Sequence, residues 1–137
     1  MVSEEKLKKT REFFDGDLFA KGAGCYIEEF DKDYSICSMK IGPEHRNAYG
    51  GIMGGAIFTL ADFAAAVVAN QDGMKTVANN MNITFVGNSK EDKLVATARL
   101  IKDGRSTSYV EVEILDKNGK KIAYTTVLGF HLDQNNT

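Results

Sequence analysis

One charged residue lies inside a long apolar segment, and its side chain is the one best suited to do chemistry. Asp62 is the only ionisable residue between Ala56 and Ala69. Thr59 precedes it by one helical turn and shares its face of a helix. A carboxylate among apolar side chains loses hydration unless it is paired, solvated in a cleft or protonated. Asp62 is therefore either a structural aspartate satisfied by a nearby hydroxyl or arginine, or a candidate functional carboxylate.

Glycine dominates the residues just before this segment, which read Gly50-Gly51-Ile52-Met53-Gly54-Gly55. A glycine-rich turn that enters a helix exposes backbone N–H groups at the positive end of the helix dipole, where an anion or oxyanion can bind. A plain tight loop is the alternative, and neither phosphate-loop nor dinucleotide spacing is present. Gly54 and Asp62 are eight residues apart, about 12 Å along a helix axis. Two antiparallel helices in a symmetric dimer would bring such groups together more easily than one chain.

The elements that position these residues follow from hydrophobic periodicity. Ser3 and the acidic residues after it predict a short N-terminal helix within residues 1–19. Tyr26–Phe30 and Tyr34–Met39 alternate around a polar turn and predict a β-hairpin. The apolar segment predicts one long helix from Ala56 to about Asn70. Because it is apolar almost all round, we expect protein to surround it.

The C-terminal half of the chain predicts four further strands. Turn signals separate them, and Asn118-Gly119 is a strong hairpin signal. We expect these strands to form a meander, and the whole chain to be an α+β domain whose sheet of about six strands wraps the long helix. The predicted strands are Thr76–Val86, Asp92–Lys102, Ser106–Leu115 and Lys121–Leu132.

Length and composition limit the classes of function. The 137 residues allow one domain, 1–137, with a polar tail at 133–137. A hydrophobic content of 43%, a charged content of 26% and a net charge of −2 are typical of a globular protein and argue against a nucleic-acid partner. The charged N-terminus is unlike a signal peptide, and no apolar run reaches membrane-spanning length. We therefore expect a cytoplasmic protein with no membrane partner.

The cysteines and histidines predict no metal site. Cys25 and Cys37 lie apart with no partner at metal-ligand spacing, so we expect buried reduced thiols, with a disulfide between neighbouring strands as the alternative. His45 and His131 are isolated, and an isolated histidine is more often structural than functional.

The segment from His45 to Asp62 resembles the signature of the hotdog-fold acyl-CoA thioesterases of the phenylacetate-pathway (PaaI-type) group. That signature runs from an asparagine through a glycine-containing loop and His-Gly-Gly into an apolar helix that reaches an aspartate. Asn47, Gly54-Gly55 and Asp62 match it. Asn82-Ile83-Thr84-Phe85 and the stretch from Gly104 to Glu113 look like the strands that follow in this family. The resemblance covers about residues 20–132 and implies a hotdog fold.

This resemblance implies roles for individual residues. Asp62 would act as general base or nucleophile, the Gly54 N–H from the opposite subunit would bind the oxyanion, and Asn47 would orient water or the carbonyl. Coenzyme A enters only as part of the acyl-CoA substrate, so no cofactor is implied, and the protein would be a homo-oligomer, a dimer or tetramer. The implied substrate-binding residues, of which the last four would hold the phosphates of coenzyme A, are Gly55, Thr59, Tyr49, Met53, Phe85, Arg99, Lys102, Arg105 and Ser106.

Two positions depart from the family pattern. Met53 stands where a histidine is usual, and Gly87 stands where some relatives carry serine or threonine. These departures favour a non-catalytic or degenerate protein that binds acyl-CoA as the alternative function. A hydratase or dehydratase of the same fold is a second alternative, and that chemistry needs a histidine beside the carboxylate.

Overall fold

Three α-helices and six strands make up the part of the chain that the computed structural model describes, residues 2–132. The predicted polar tail 133–137 lies outside the described residues. A 3-10 turn at Pro43–His45 precedes the third helix. The elements are α1 Glu4–Phe14, α2 Leu18–Ala23, β1 Cys25–Phe30, β2 Tyr34–Lys40, α3 Gly54–Ala69, β3 Thr76–Phe85, β4 Lys93–Asp103, β5 Thr107–Asp116 and β6 Lys121–His131.

The helix α3 lies at the centre of the fold and contacts all six strands. Leu60, Ala61, Ala64 and Val67 on α3 are fully buried. The inward-facing side chains of the strands meet them and alternate with outward-facing ones, as on β5, where the odd-numbered positions are more exposed than their even-numbered neighbours. The predicted α+β fold class is confirmed, because a curved six-stranded antiparallel sheet wraps one long helix.

The order of the strands in the sheet is β1-β2-β4-β5-β6-β3, and all neighbours are antiparallel. The predicted hairpin of β1 and β2 is confirmed, but the prediction of a four-strand meander is wrong for β3. That strand pairs with β6 at the edge of the sheet, and β4 pairs with β2. The N–H groups of Val86 and Gly87 donate to the carbonyl of Ile122 at 2.8 and 3.2 Å. The chain after β3 therefore continues along β6 instead of turning back.

The N-terminal segment forms two helices where the sequence predicted one. The N–H groups of Gly16 and Asp17 donate to the carbonyls of Phe13 and Phe14 at 3.1 and 3.0 Å, which tightens and ends α1. Ser3 caps α1 as predicted, because its hydroxyl accepts from the N–H of Lys6 at 3.2 Å. The break lets α2 lie against α3.

The remaining general predictions concern thiols, membranes and metals. Cys37 is buried and Cys25 half-buried, and both are free thiols. Burial raises the pKa of the Cys25 thiol to about 12, so the thiol stays protonated. Between residues 2 and 132, no helix is both long and apolar enough to cross a membrane, and no three acidic, histidine or cysteine side chains are grouped to hold a metal ion.

Candidate active site

One stripe along α3 stays open although the helix is apolar almost all round. Five residues at helical spacing form this stripe, and each is exposed or half-buried: Gly55, Phe58, Thr59, Asp62 and Ala66. The remaining residues of the helix between Ile57 and Val68 are buried. The expectation that protein surrounds the helix on every side is therefore wrong along this stripe, and the stripe carries the carboxylate.

A groove of about 510 Å³ runs between α2 and α3 beside Asp62. Apolar side chains from both helices form its walls, and two of them, Leu18 and Phe19, are highly exposed at 75% and 80%. The groove also holds Phe58, Thr59 and Phe63. Asp62 is itself exposed and therefore lies open to solvent in a groove with largely apolar walls.

The carboxylate of Asp62 has no hydrogen-bond or ion-pair partner among the described residues. The hydroxyl of Thr59 does not reach it but donates to the carbonyl of Gly55 at 2.8 Å. Lost hydration raises the pKa of Asp62, and the nearby carboxylate of Asp17 raises it further. A carboxylate with a raised pKa is a stronger base at neutral pH than an ordinary one. Within the described residues, neither a neighbouring hydroxyl nor an arginine satisfies Asp62, which favours the interpretation of a functional carboxylate.

The start of α3 leaves backbone donors without acceptors. Met53 occupies the N-cap position and makes no side-chain cap. The N–H groups of Ala56 and Ile57 donate to the carbonyl of Met53 at 3.0 and 3.3 Å. Those of Gly54 and Gly55 have no acceptor among the described residues, as expected for the first turn of a helix. The two glycines therefore present the free donors that the sequence predicted.

The aromatic ring of Phe85, at the end of β3, lies against Gly54. A Cβ atom on Gly54 would come within 3.0 Å of Phe85 Cζ. The ring itself is half-exposed. Gly54 therefore allows the ring to cover the start of α3, and two of the predicted site residues are in contact.

Asn47 shapes the loop that leads to α3. Its side-chain oxygen accepts hydrogen bonds from the N–H groups of Tyr49 at 2.9 Å and Gly51 at 3.1 Å. The side-chain NH₂ remains as its available donor. Arg46 holds the same loop by donating to the carbonyls of Ser89 at 2.9 Å and Glu91 at 3.2 Å. Tyr49 is fully exposed at the tip of the loop.

The predicted phosphate-binding residues lie on another part of the fold. Arg99 is on the outer face of the sheet, paired in register with Glu111. Lys102, Arg105 and Ser106 are exposed at the turn between β4 and β5. The structure therefore brings three of the four together at one turn and places Arg99 at a separate position on β4.

The two histidines are engaged in structural hydrogen bonds. His45 is buried, its Nδ1 accepts from the N–H of Gly42 at 2.9 Å, and its Nε2 is 2.6 Å from the carbonyl of Ala23. His131 bonds Thr76 through Nδ1 and Asp103 through Nε2, both at 2.8 Å. Neither lines the groove beside Asp62. The histidine that a hydratase would need beside the carboxylate is thus absent from the lining of this groove.

Gly87, the second departure from the family pattern, is required by the backbone. A Cβ atom there would collide with the carbonyl oxygen of Lys121. Its N–H donates to the carbonyl of Ile122 at 3.2 Å. A serine or threonine side chain at this position is therefore excluded by the close approach of β6.

Sequence reasoning missed the contribution of α2. Asp17, Leu18 and Phe19 line the groove opposite Asp62, whereas the sequence predicted a single N-terminal helix over this region. The signal was the apolar pair Leu18-Phe19, which follows the helix-ending Gly16 after one residue.

A family model described as the Thioesterase superfamily matches residues 49–123, more than half of the chain. The chain belongs to the Thioesterase superfamily. Acyl-coenzyme A thioesterase PaaI of Escherichia coli (strain K12) is 28% identical over 123 residues, which is 89% of this chain and 88% of that protein. Membership of the superfamily confirms the predicted enzyme class, a thioester hydrolase.

Solved structures agree with the superfamily assignment. The E. coli PaaI protein from the phenylacetic acid degradation operon has a TM-score of 0.88 and 25% identity, with 97% of each chain covered. A protein from Streptococcus mutans UA159, solved bound to acetyl CoA, has a TM-score of 0.75 and 26% identity, with 80% of this chain and 89% of that chain covered. The predicted PaaI-type hotdog fold is confirmed. The roles of individual site residues stay predictions.

Proposed function

We propose that the protein hydrolyses an acyl-CoA thioester in the groove between α2 and α3, with Asp62 as the reacting carboxylate. The observation that carries this proposal is the unpartnered position of Asp62 on the open stripe of an otherwise buried helix. The superfamily supports the reaction type. The similarity to PaaI and to a protein solved with acetyl CoA supports acyl-CoA as the substrate class.

Two routes use the carboxylate in this position. As a general base, Asp62 takes a proton from water, the hydroxide attacks the carbonyl carbon, and the carbon–sulfur bond breaks to release coenzyme A as a thiolate. As a nucleophile, Asp62 attacks the carbonyl carbon, and a mixed anhydride forms as the carbon–sulfur bond breaks and coenzyme A leaves as a thiolate. Water then hydrolyses the anhydride to the free acid and restores the Asp62 carboxylate. The raised pKa of Asp62 assists either route, because a more basic carboxylate is both a stronger base and a stronger nucleophile.

The oxyanion that develops on the carbonyl needs a hydrogen-bond donor. The Gly54 N–H has no acceptor among the described residues, but it is two helical turns from Asp62, about 12 Å along the axis. We assign it to the site of a second copy, in which two α3 helices lie antiparallel. Asn47 orients water or the carbonyl through its free side-chain NH₂, and Gly55, Thr59, Met53, Tyr49 and Phe85 line the substrate path.

The edge strand β3 supports assembly through this face. It ends the strand order of the sheet, and its 10 residues are mostly exposed. Val77 and Phe85 on this strand are 47% and 50% exposed. A long uncovered edge is a template for pairing with another chain. We propose a homodimer through β3 that assembles further into a tetramer in the cytoplasm.

Loss of one N–H group tests the shared site. Proline is tolerated at the first position of a helix, and Met53 already has the extended backbone that a following proline requires, with φ −62° and ψ 134°. Gly54→Pro removes the proposed oxyanion donor. Gly54→Ala is the matched control, because it brings a Cβ atom against Phe85 and keeps the N–H. We expect Gly54→Pro to lose about 100-fold more activity than Gly54→Ala.

Mixed dimers then locate the two halves of the site. Co-expression of Gly54→Pro with Asp62→Asn under different affinity tags yields a heterodimer with one doubly altered site and one intact site. We expect about half of the wild-type rate per dimer from two inactive parents. A heterodimer as inactive as its parents contradicts a site shared between subunits.

Non-catalytic binding of acyl-CoA is the second candidate. It is favoured by the absence of a histidine at Met53 and by the close approach that forces glycine at position 87. Tight binding of acyl-CoA in calorimetry, without release of free thiol over a panel of aryl and aliphatic acyl groups, would support this candidate over hydrolysis.

A further inference from the structure

A small cleft lies on the other side of Asp62 from the groove, between the second half of α3 and strands β3, β5 and β6. Its volume is about 30 Å³, enough for roughly two water-sized groups. Asp62 lines both the groove and the cleft. Small and aliphatic side chains form most of the walls of the cleft, namely Ala65, Ala66, Ala69, Ala78, Val110 and Val127.

Ser108 places an unused hydroxyl in this cleft. The residue is 1% exposed, and its Oγ has no hydrogen-bond partner. The other uncharged polar side chains of the cleft are engaged. Asn70 accepts from the N–H of Thr76 and donates to the carbonyl of Ala66 at 2.8 Å, and the Thr76 hydroxyl bonds the carbonyl of Ala69 at 3.0 Å. A buried hydroxyl without a partner destabilises the fold, so a ligand group that pairs with Ser108 gains affinity.

Gly129 leaves room for the Ser108 hydroxyl and the Thr76 methyl group. It is paired with Ser108 in register across β5 and β6. A Cβ atom at Gly129 would lie 2.7 Å from Ser108 Oγ and 2.7 Å from Thr76 Cγ2. The backbone of Gly129 has no positive φ. Space, and not backbone conformation, is therefore what glycine provides at this position.

We propose that the cleft receives the far end of the acyl group and that Ser108 Oγ hydrogen-bonds a hydroxyl there, so that preferred substrates are short unbranched acyl chains ending in a hydroxyl. The inference rests on the proposed function. A thioester carbonyl at Asp62 directs the coenzyme A arm along the wide groove and the acyl chain into the narrow cleft. A space of two water-sized groups admits a terminal CH₂–OH but no aromatic ring or branch.

Matched substrates test this assignment. For chain lengths from acetyl to octanoyl, the value of kcat/KM is measured for the plain acyl-CoA and for its ω-hydroxyacyl counterpart. We expect wild type to prefer the hydroxylated substrate at one chain length. Ser108→Ala should reduce that ratio about tenfold at the same length. Gly129→Ala, whose Cβ atom would displace the Ser108 hydroxyl from its position, should also reduce it.

Thr125 supplies the matched control. It is 2% exposed, and its Oγ1 also lacks a partner, but it does not line the cleft. Thr125→Val should leave the ratio between the two substrates as in wild type. The assignment of Ser108 is overturned if the ratio of kcat/KM values for the hydroxylated and plain substrates is the same in wild type and Ser108→Ala. It is also overturned if Thr125→Val lowers this ratio as much as Ser108→Ala does.

Failure of the subsite and failure of the proposed function are distinguishable. Hydrolysis with a ratio that is insensitive to Ser108→Ala rejects the subsite and leaves thioesterase activity standing. If wild type hydrolyses none of the substrates, the proposed function fails. Calorimetry then measures the affinities of the same paired acyl-CoA compounds. If the assignment is right, Ser108→Ala lowers the ratio of the affinity for the hydroxylated compound to that for the plain one; if it is wrong, this ratio is unchanged.

Discussion

Two aspartates of this protein differ in hydrogen bonding and in pKa: Asp62 in α3 and Asp116 at the end of β5. Asp116 is buried and accepts hydrogen bonds from the hydroxyl of Ser89 at 2.7 Å and from the N–H groups of Asn118 and Lys120 at 2.9 Å. These donors hold the pKa of Asp116 below its ordinary value. Asp62 accepts no hydrogen bond within the described chain, and its pKa is raised.

This difference separates a structural carboxylate from a reactive one. The oxygens of Asp116 are occupied as hydrogen-bond acceptors in the turn after β5, so they are not available to take a proton from a substrate or water. The fold stabilises the ionised form of this carboxyl. Asp62 keeps its capacity to take a proton, because no protein donor occupies it. The same contrast holds between serines: the hydroxyl of Ser89 is bonded to Asp116, and that of Ser108 has no partner.

Removing the carboxylate of Asp62 should have the largest effect on activity. Asp62→Asn keeps the shape of the side chain but accepts no proton from water, so we expect kcat/KM to fall at least about 100-fold in a thiol-release assay. In wild type, the rate should fall as the pH falls through the raised pKa of Asp62. Hydrolysis by Asp62→Asn at the wild-type rate for several acyl-CoA substrates would falsify the assigned role.

Removing the carboxylate of Asp116 should instead reduce stability. Asp116→Ala leaves the buried Ser89 hydroxyl and two partly buried backbone N–H groups without their acceptor. We expect Tm at pH 7 to fall by about 5 °C or more. Because the folded-state pKa is lowered, the stabilisation is complete above the ordinary value of about 4. It is lost as the pH falls through the lowered pKa, so the gap between variant and wild type should close in acid.

The exposed Asp92 is the control for this experiment. Its pKa is also lowered, mainly by the hydrogen bond from Lys117 at 2.8 Å, but its side chain is 65% exposed. An exposed ion pair contributes little. Asp92→Ala should therefore shift Tm by less than about 2 °C, and a shift as large as that of Asp116→Ala would mean that burial is not what distinguishes the two sites.

The smallest expected effect is a gain in stability at Asp62. Its folded-state pKa is raised, so the unfolded chain loses the proton first and ionisation favours unfolding. Asp62→Asn should raise Tm slightly at pH 7, and the gain should vanish as the pH falls below the ordinary pKa of the carboxyl. Differential scanning calorimetry from pH 7 into acid measures this. A loss of Tm at pH 7 would show that Asp62 has a stabilising partner.

Local patterns predicted most of the elements, because they depend on neighbouring residues. Three signals of this kind depend only on residues close together in the sequence: the Ser3 cap, the alternation of β5 and the apolar run of α3. The partner of β3 was not predictable in this way. Its pairing with β6 depends on where the chain goes after Val86. The turn signal at Gly87-Asn88 is the same whether the next strand, β4, pairs with β3 as a hairpin or lies elsewhere in the sheet.

The sequence by itself determined that Asp62 is the one charge in an apolar helix, that glycines stand at the start of that helix, and that the pattern from Asn47 to Asp62 is PaaI-like. These properties are fixed by residue type and spacing along the chain. Only the tertiary structure decided that Thr59 bonds Gly55 and leaves Asp62 without a partner, that α2 walls the groove, and that Ser108 faces an open cleft. Hydrogen-bond satisfaction and empty space depend on which distant segments meet, and residue type alone carries no information about that.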